Sequence, residues 1–99
     1  MTQSKAEVAT TFAKRYLGQL CKHFGHKIPV ELALDEGRGS IAFPFGTCRL
    51  AAEGGTLHLT AEAEGPDAIA QVQDVIARHL IRFAFREELA VSWALSPAP

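Results

Sequence analysis

The sequence predicts an α+β domain: a two-layer sandwich, an antiparallel sheet with two helices on one face, in the order β-α-β-β-β-β-α-β. Three observations carry that prediction. Two segments repeat apolar residues at three- and four-residue steps, the helical period. The remaining apolar segments alternate with a period of two, the strand period. Each helix is apolar along one stripe only, and each strand on one side only, so the stripes must cover one face of the sheet. The chain of 99 residues has the size of one domain, 1–99, without linker, repeat or low-complexity stretch. Its hydrophobic fraction of 47% suffices for a core without cross-links.

The first element is a short strand over Ala6-Glu7-Val8-Ala9, which alternates weakly. Thr10 or Thr11 then offers a side-chain oxygen to the unpaired amides that open a helix. Phe12, Ala13, Tyr16, Leu17, Leu20, Cys21 and Phe24 form its apolar stripe at about 100° per residue. Gly25 is expected to close it in a left-handed conformation. Lys22, His26 and Lys27 suit the negative end of the helix dipole, and Pro29 blocks continuation.

The period then changes. Val30, Leu32 and Leu34 alternate with Glu31, Ala33 and Asp35 as a half-buried strand, and Glu36-Gly37-Arg38-Gly39 reads as a turn. Ile41, Phe43 and Phe45 share one face of the next strand, where Pro44 implies an edge or a bulge and Gly46 a reversal. Cys48 and Leu50 point inward on the following strand, and Gly54-Gly55 signals a hairpin. Leu57, Leu59, Ala61 and Ala63 against His58, Thr60, Glu62 and Glu64 make the clearest strand of the chain. Gly65-Pro66-Asp67 opens the second helix, whose stripe is Ile69, Val72, Val75, Ile76, Leu80 and Phe83. Val91, Trp93 and Leu95 alternate in a last strand before a frayed tail, Ser96-Pro97-Ala98-Pro99.

Composition excludes several function classes. A net charge of −1 argues against a general electrostatic grip on nucleic acid. No apolar run approaches membrane-spanning length and no apolar signal region opens the chain, so a cytoplasmic protein without a membrane partner is expected. Two cysteines do not make a disulfide framework, which fits reduced thiols. There is no glycine-rich phosphate loop and no nucleophile elbow.

What chemistry remains gathers at two places. Cys21, Lys22, His23, His26 and Lys27 crowd the end of the first helix. Cys21 lies about 160° around the helix from His23 and so does not join the histidines on one face. With no second ligand pair in view, no metal and no cofactor are expected. On the second helix, His79 falls inside the apolar stripe, either as a core histidine bonded to a carbonyl or hydroxyl, or as the floor of a pocket, able to act as ligand or base. Arg82 and Arg86 suit the C-terminal end of that helix, with Glu87 and Glu88 beyond them as surface ion-pair partners. If the two helix ends share one edge of the sheet, Lys22, His23, His26, Lys27, His79, Arg82 and Arg86 form an anion-friendly site.

These stretches also carry a resemblance. Arg15-Tyr16-Leu17, Gln19 to Phe24, His26-Lys27, Ile41-Ala42-Phe43, His79-Leu80 and Arg82-Phe83-Ala84-Phe85-Arg86-Glu87 resemble the bacterial domain-of-unknown-function family 2218, short stand-alone proteins without an established activity. Phe24 stands where the family usually has tryptophan. The resemblance covers nearly the whole chain, and it implies a context of siderophore and iron-uptake functions. The leading expectation is a small binding or accessory protein for an anionic or iron-related ligand. One alternative is an enzyme with His79 or His23 as acid or base and Arg86 stabilising an anion. Another is a structural or interaction protein, a homodimer through the open sheet face or an edge strand.

Overall fold

The computed structural model describes residues 2–97. Six strands form one fully antiparallel sheet: β1 (Thr2–Ala9), β2 (Val30–Ala33), β3 (Arg38–Phe43), β4 (Gly46–Glu53), β5 (Thr56–Ala63) and β6 (Trp93–Pro97). Their order across the sheet is β2-β3-β4-β5-β1-β6. Two helices, α1 (Ala13–Phe24) and α2 (Pro66–Phe83), lie over the same face, α1 on the β2–β5 side and α2 over β4, β5 and β1. The fold is therefore the expected α+β arrangement, in the expected element order.

The core is the meeting of the two apolar surfaces. Leu17, Leu20, Ile69, Val72, Ile76 and Leu80 from the helices bury against Val8, Ile41, Leu57 and Leu59 from the sheet. Burial of such side chains, worth about 1.5–3 kcal/mol each, is what holds the helices to the sheet. β5 alternates strictly, with Leu57, Leu59, Ala61 and Ala63 buried. The β4–β5 hairpin closes on Gly54 and Gly55, whose φ values of 52° and 75° are the left-handed pair of a two-residue turn.

Several boundaries differ from the sequence reading, each for a local reason. β1 begins at Thr2 rather than Ala6, because both its edges are paired, to β5 and to β6. The register carries Ser4 into the core, where its hydroxyl meets the Gln73 amide at 2.6 Å. Thr10 does help open α1, accepting the Phe12 amide at 3.1 Å, but the helix proper starts at Ala13. Gly25 is right-handed, φ −62°, because the chain winds on through a further turn, Lys27 and Ile28 both bonding back to the Phe24 carbonyl. β2 stops at Ala33 and Leu34–Glu36 coil into a 3-10 turn, so Arg38 and Gly39 belong to β3 and not to a loop.

Pro44 and Phe45 are the turn between β3 and β4, with Phe43 paired to Gly46. Phe45 is thus not a strand residue, and Gly46 opens β4. A methyl group on Gly46 would stand 2.7 Å from the Glu62 carbonyl and 2.9 Å from Val72. That close approach, rather than a reversal, is what needs glycine there. β6 starts at Trp93, not Val91, and takes in Ser96 and Pro97; Ala98 and Pro99 of the expected tail lie outside the described residues. No helix is long and apolar enough to cross a membrane.

Candidate functional site

α1 and α2 run antiparallel, and this decides which polar residues meet. The C-terminal turn of α1 lies beside the last turns of α2, bringing the His23 and His79 rings to 4.9 Å between centroids. The N-terminal half of α1 lies beside the end of α2, where the Tyr16 hydroxyl reaches the Glu87 carboxylate. His23 also packs on Phe83, the last residue of α2, and of the seven cations and histidines singled out from the sequence His23, His26 and Lys27 line one cavity and Arg86 another.

The first place is a cavity of about 520 Å³ between the end of α1 and the β3–β4 turn. Its apolar surface comes from Phe24, Ile28, Phe43, Phe45 and Val75, and its polar groups are His23, His26 and Lys27. Aromatic contacts stiffen it. Phe43 and Phe45 stack at 5.2 Å with their planes 14° apart, and Phe24 meets Phe43 edge-on at 5.1 Å. Edge-to-face and offset-stacked pairs of this kind add about 0.5–1.5 kcal/mol beyond their buried area.

His79 stands behind the cavity, 4.8 Å from the Phe24 ring. Its Nδ1 donates to the Val75 carbonyl at 2.7 Å, which leaves Nε2 as the ring nitrogen not engaged by that bond. His79 is therefore satisfied by a backbone carbonyl and at the same time adjoins a pocket; the two readings of the sequence are not exclusive. His23 packs on Phe83 at 5.6 Å as well as on His79. Removal of water from its ring, then the positive fields of His79, His26, Arg82 and Lys27, hold its pKa below the usual 6.5. Arg82 thus acts on this place through its charge, while Lys22 lines neither this cavity nor the next. Among the described residues there is no group of three or more His, Cys, Asp or Glu side chains placed to hold a metal ion. Cys21 and Cys48 are buried free thiols, and burial pushes them up to about 11 and about 12.

Arg86 belongs to the second place, a cavity of about 390 Å³ shared with Phe12, Arg15, Tyr16, Gln19, Phe83, Phe85 and Glu87. Glu87 is no surface ion-pair partner. It accepts the Thr10 hydroxyl at 3.0 and 3.2 Å on its two oxygens and the Tyr16 hydroxyl on one of them. That bond to Glu87, then burial, raises the Tyr16 pKa above 10.0. Arg15, Tyr16 and Glu87 were not singled out for a site, although all three sit inside the signature-like stretches. Glu87 looked like one of two exposed acids after a helix, and only the antiparallel packing shows that a tyrosine 71 residues away completes it.

The uncovered face of the sheet is a ladder of paired polar groups. Arg49 meets Glu62 at 3.1 Å and His58 faces Glu7 at 3.8 Å. Glu62 takes a further bond from the Gln3 amide at 3.3 Å.

Among solved structures, the chain is similar to protein PA4090 from Pseudomonas aeruginosa, determined by NMR, with 38% sequence identity over 95% of this chain and 96% of that one and a TM-score of 0.80. No curated protein matches. The family described as an uncharacterized protein conserved in bacteria, DUF2218, matches residues 5–94, and the chain belongs to that family.

Proposed function

We propose that the protein is a small-molecule binding module whose site is the cavity between the end of α1 and the β3–β4 turn, and whose ligand is an apolar-bodied anion. The observation that carries this is the division of labour in the cavity: five apolar side chains against two histidines and a lysine, with no carboxylate among its lining groups. Its volume of about 520 Å³ falls in the range of about 300–1,000 Å³ typical of small-molecule sites. Phe24, Phe43 and Phe45 would take an aromatic or aliphatic body, while Lys27, His26 and a protonated His23 would meet its charge. Such a ligand gains from protonation of His23, so its affinity rises as pH falls through the lowered His23 pKa.

The iron-related context implied by the family resemblance enters here as a choice of probes, and a cytoplasmic setting fits the two free, buried thiols. A thermal-shift comparison of aryl carboxylates, ferric aryl-catecholate chelates and inorganic phosphate tests the reading. Ligands that bind the folded state raise Tm by mass action. Aryl anions should raise it and phosphate should not, and the rise should shrink in His23→Ala and Lys27→Ala. Equal shifts in those variants would place the ligand elsewhere.

A second reading, acid–base catalysis, draws on one observation. His23 is favoured in its neutral form and lies at the cavity with the His79 ring packed against it. An aryl ester probe hydrolysed by the wild type and spared by His23→Gln would support it; equal rates in both would reject it.

A further inference from the structure

The second cavity holds charges of both signs that the fold does not join to each other. Arg15 and Arg86 supply its positive charge, Glu87 its negative charge, and Phe12, Phe83 and Phe85 its apolar surface. Glu87 is oriented by the Thr10 and Tyr16 hydroxyls, and neither of these donors brings a compensating charge. Among the described residues no Lys, Arg or His nitrogen lies within ion-pair reach of Glu87, and neither Arg15 nor Arg86 has an acidic partner. A carboxylate held by two hydroxyls and two exposed guanidiniums on the same half-open recess form a dipolar receptor.

Two further features mark the recess as a place where something docks. Phe85 is 77% exposed and Phe12 is 48% exposed, an apolar outlay that a fold does not need at its own surface. The Arg86 guanidinium lies 5.4 Å from the Phe85 ring centroid, which holds the cation in position without neutralising it. The volume of about 390 Å³ is again that of a small-molecule site.

The charge pattern selects the ligand class by exclusion as well as by attraction. A simple anion that reached the arginines would face Glu87. A simple cation that reached Glu87 would face two guanidiniums. Only a ligand carrying both signs a few bonds apart meets a partner at each end. We infer that this cavity binds a small zwitterion, a free α-amino acid with an aromatic side chain, its ammonium on Glu87, its carboxylate on Arg15 and Arg86, and its ring against Phe12 and Phe83. This site is separate from the cavity beside His23, and neither reading depends on the other.

The test is an amide NMR titration of the full chain with L-phenylalanine, L-phenylalaninamide and 3-phenylpropionate, below neutral pH so that both amines are charged. L-phenylalanine should give saturable shifts at Phe12, Tyr16, Phe85 and Glu87. Each analogue, lacking one charge, should bind at least about 10-fold more weakly, as expected for loss of a charge-assisted hydrogen bond. Glu87→Gln keeps an oxygen for Tyr16 and Thr10 and should erase the preference for L-phenylalanine over 3-phenylpropionate. If that variant does not fold, the Arg15→Gln/Arg86→Gln double variant replaces it and should bind L-phenylalanine and its amide equally. No saturation with L-phenylalanine at concentrations on the order of 10 mM, a Kd too weak to count as specific, would overturn the inference. So would equal binding of all three probes, or shifts confined to the cavity beside His23.

Discussion

α1 approaches the sheet closely where Cys21 meets Gly39, and that contact can be tested by a compensating pair of substitutions. A methyl group placed on Gly39 of β3 would stand 2.6 Å from the Cys21 sulfur, 3.3 Å from the Glu31 carbonyl and 3.5 Å from Leu17. Ordinary carbon contacts lie at about 3.5–4.0 Å, so the sulfur is about 1 Å too close. Cys21 is 1% exposed, and it can yield only by turning inside a packed core or by lifting α1. Overpacking of this kind costs about 1–3 kcal/mol, and Gly39→Ala should fall in the upper half of that range. Cys21→Ala removes the sulfur and leaves a small void worth about 1 kcal/mol. In the double variant the new methyl occupies the vacated space, so its destabilisation should fall short of the sum of the singles by about 1 kcal/mol or more. Urea unfolding of the four proteins gives each stability, and about 1 kcal/mol corresponds to about 4–8 °C in Tm for a domain of this size. Additivity within about 0.5 kcal/mol would refute the close contact of Cys21 with Gly39. The consequence reaches the binding cavity, since Phe24 and His23 follow Cys21 on the same helix and a lifted α1 would move both.

Tyr16 is the only tyrosine in the chain, so an ultraviolet absorbance titration reads it alone. Its midpoint should lie above 10.0 and move down in Glu87→Gln; a wild-type midpoint at or below 10.0 would deny the Glu87 bond its role. The unfolded chain ionises first, so this group's contribution to stability is present below pH 10.0 and is lost as pH rises through the higher native pKa. Tyr16→Phe removes a hydrogen bond to a charged group and should cost about 1.5–3 kcal/mol in urea unfolding; no change would show that water replaces the bond without loss. His23 should titrate by NMR below 6.5, so its contribution to stability is present above that pH and is lost as pH falls and the unfolded chain takes up the proton first. A midpoint above 6.5 in the free protein would contradict the packing described. With Cys21 and Cys48 raised to about 11 and about 12 and buried, a thiol reagent at mildly alkaline pH should react only after unfolding; a rapid reaction of the native protein would show that the core opens locally.

The fold class was legible because periodicity alone separates the two helices from the strands, and because one-sided stripes can be covered only in two layers. The strand at Thr2–Ser4 was not, since polar residues in a strand paired on both edges are placed by their neighbours and not by their own hydrophobicity. Phe45 was read as a strand residue because a period of two runs on through Pro44, whereas the Phe43–Gly46 pairing leaves only two residues for the turn. His79 stood out at once, as an imidazole inside an apolar stripe. Its partners did not: that His23 lies against it follows from the antiparallel run of the helices, a tertiary fact. The same fact separates Arg86 from the histidines and hands it to Tyr16 and Glu87, a grouping that no spacing along the chain reveals.

Binding of an apolar-bodied anion in the cavity lined by Phe24, Phe43 and Phe45, as proposed, is read by an amide NMR titration with 2-naphthoate above and below the His23 midpoint. Saturable shifts centred on Phe24, Ile28, Phe43, Phe45 and Val75 are expected, with tighter binding at the lower pH and loss of that pH dependence in His23→Ala. Shifts scattered over the surface, or the same affinity at both pH values in wild type and variant, would contradict it.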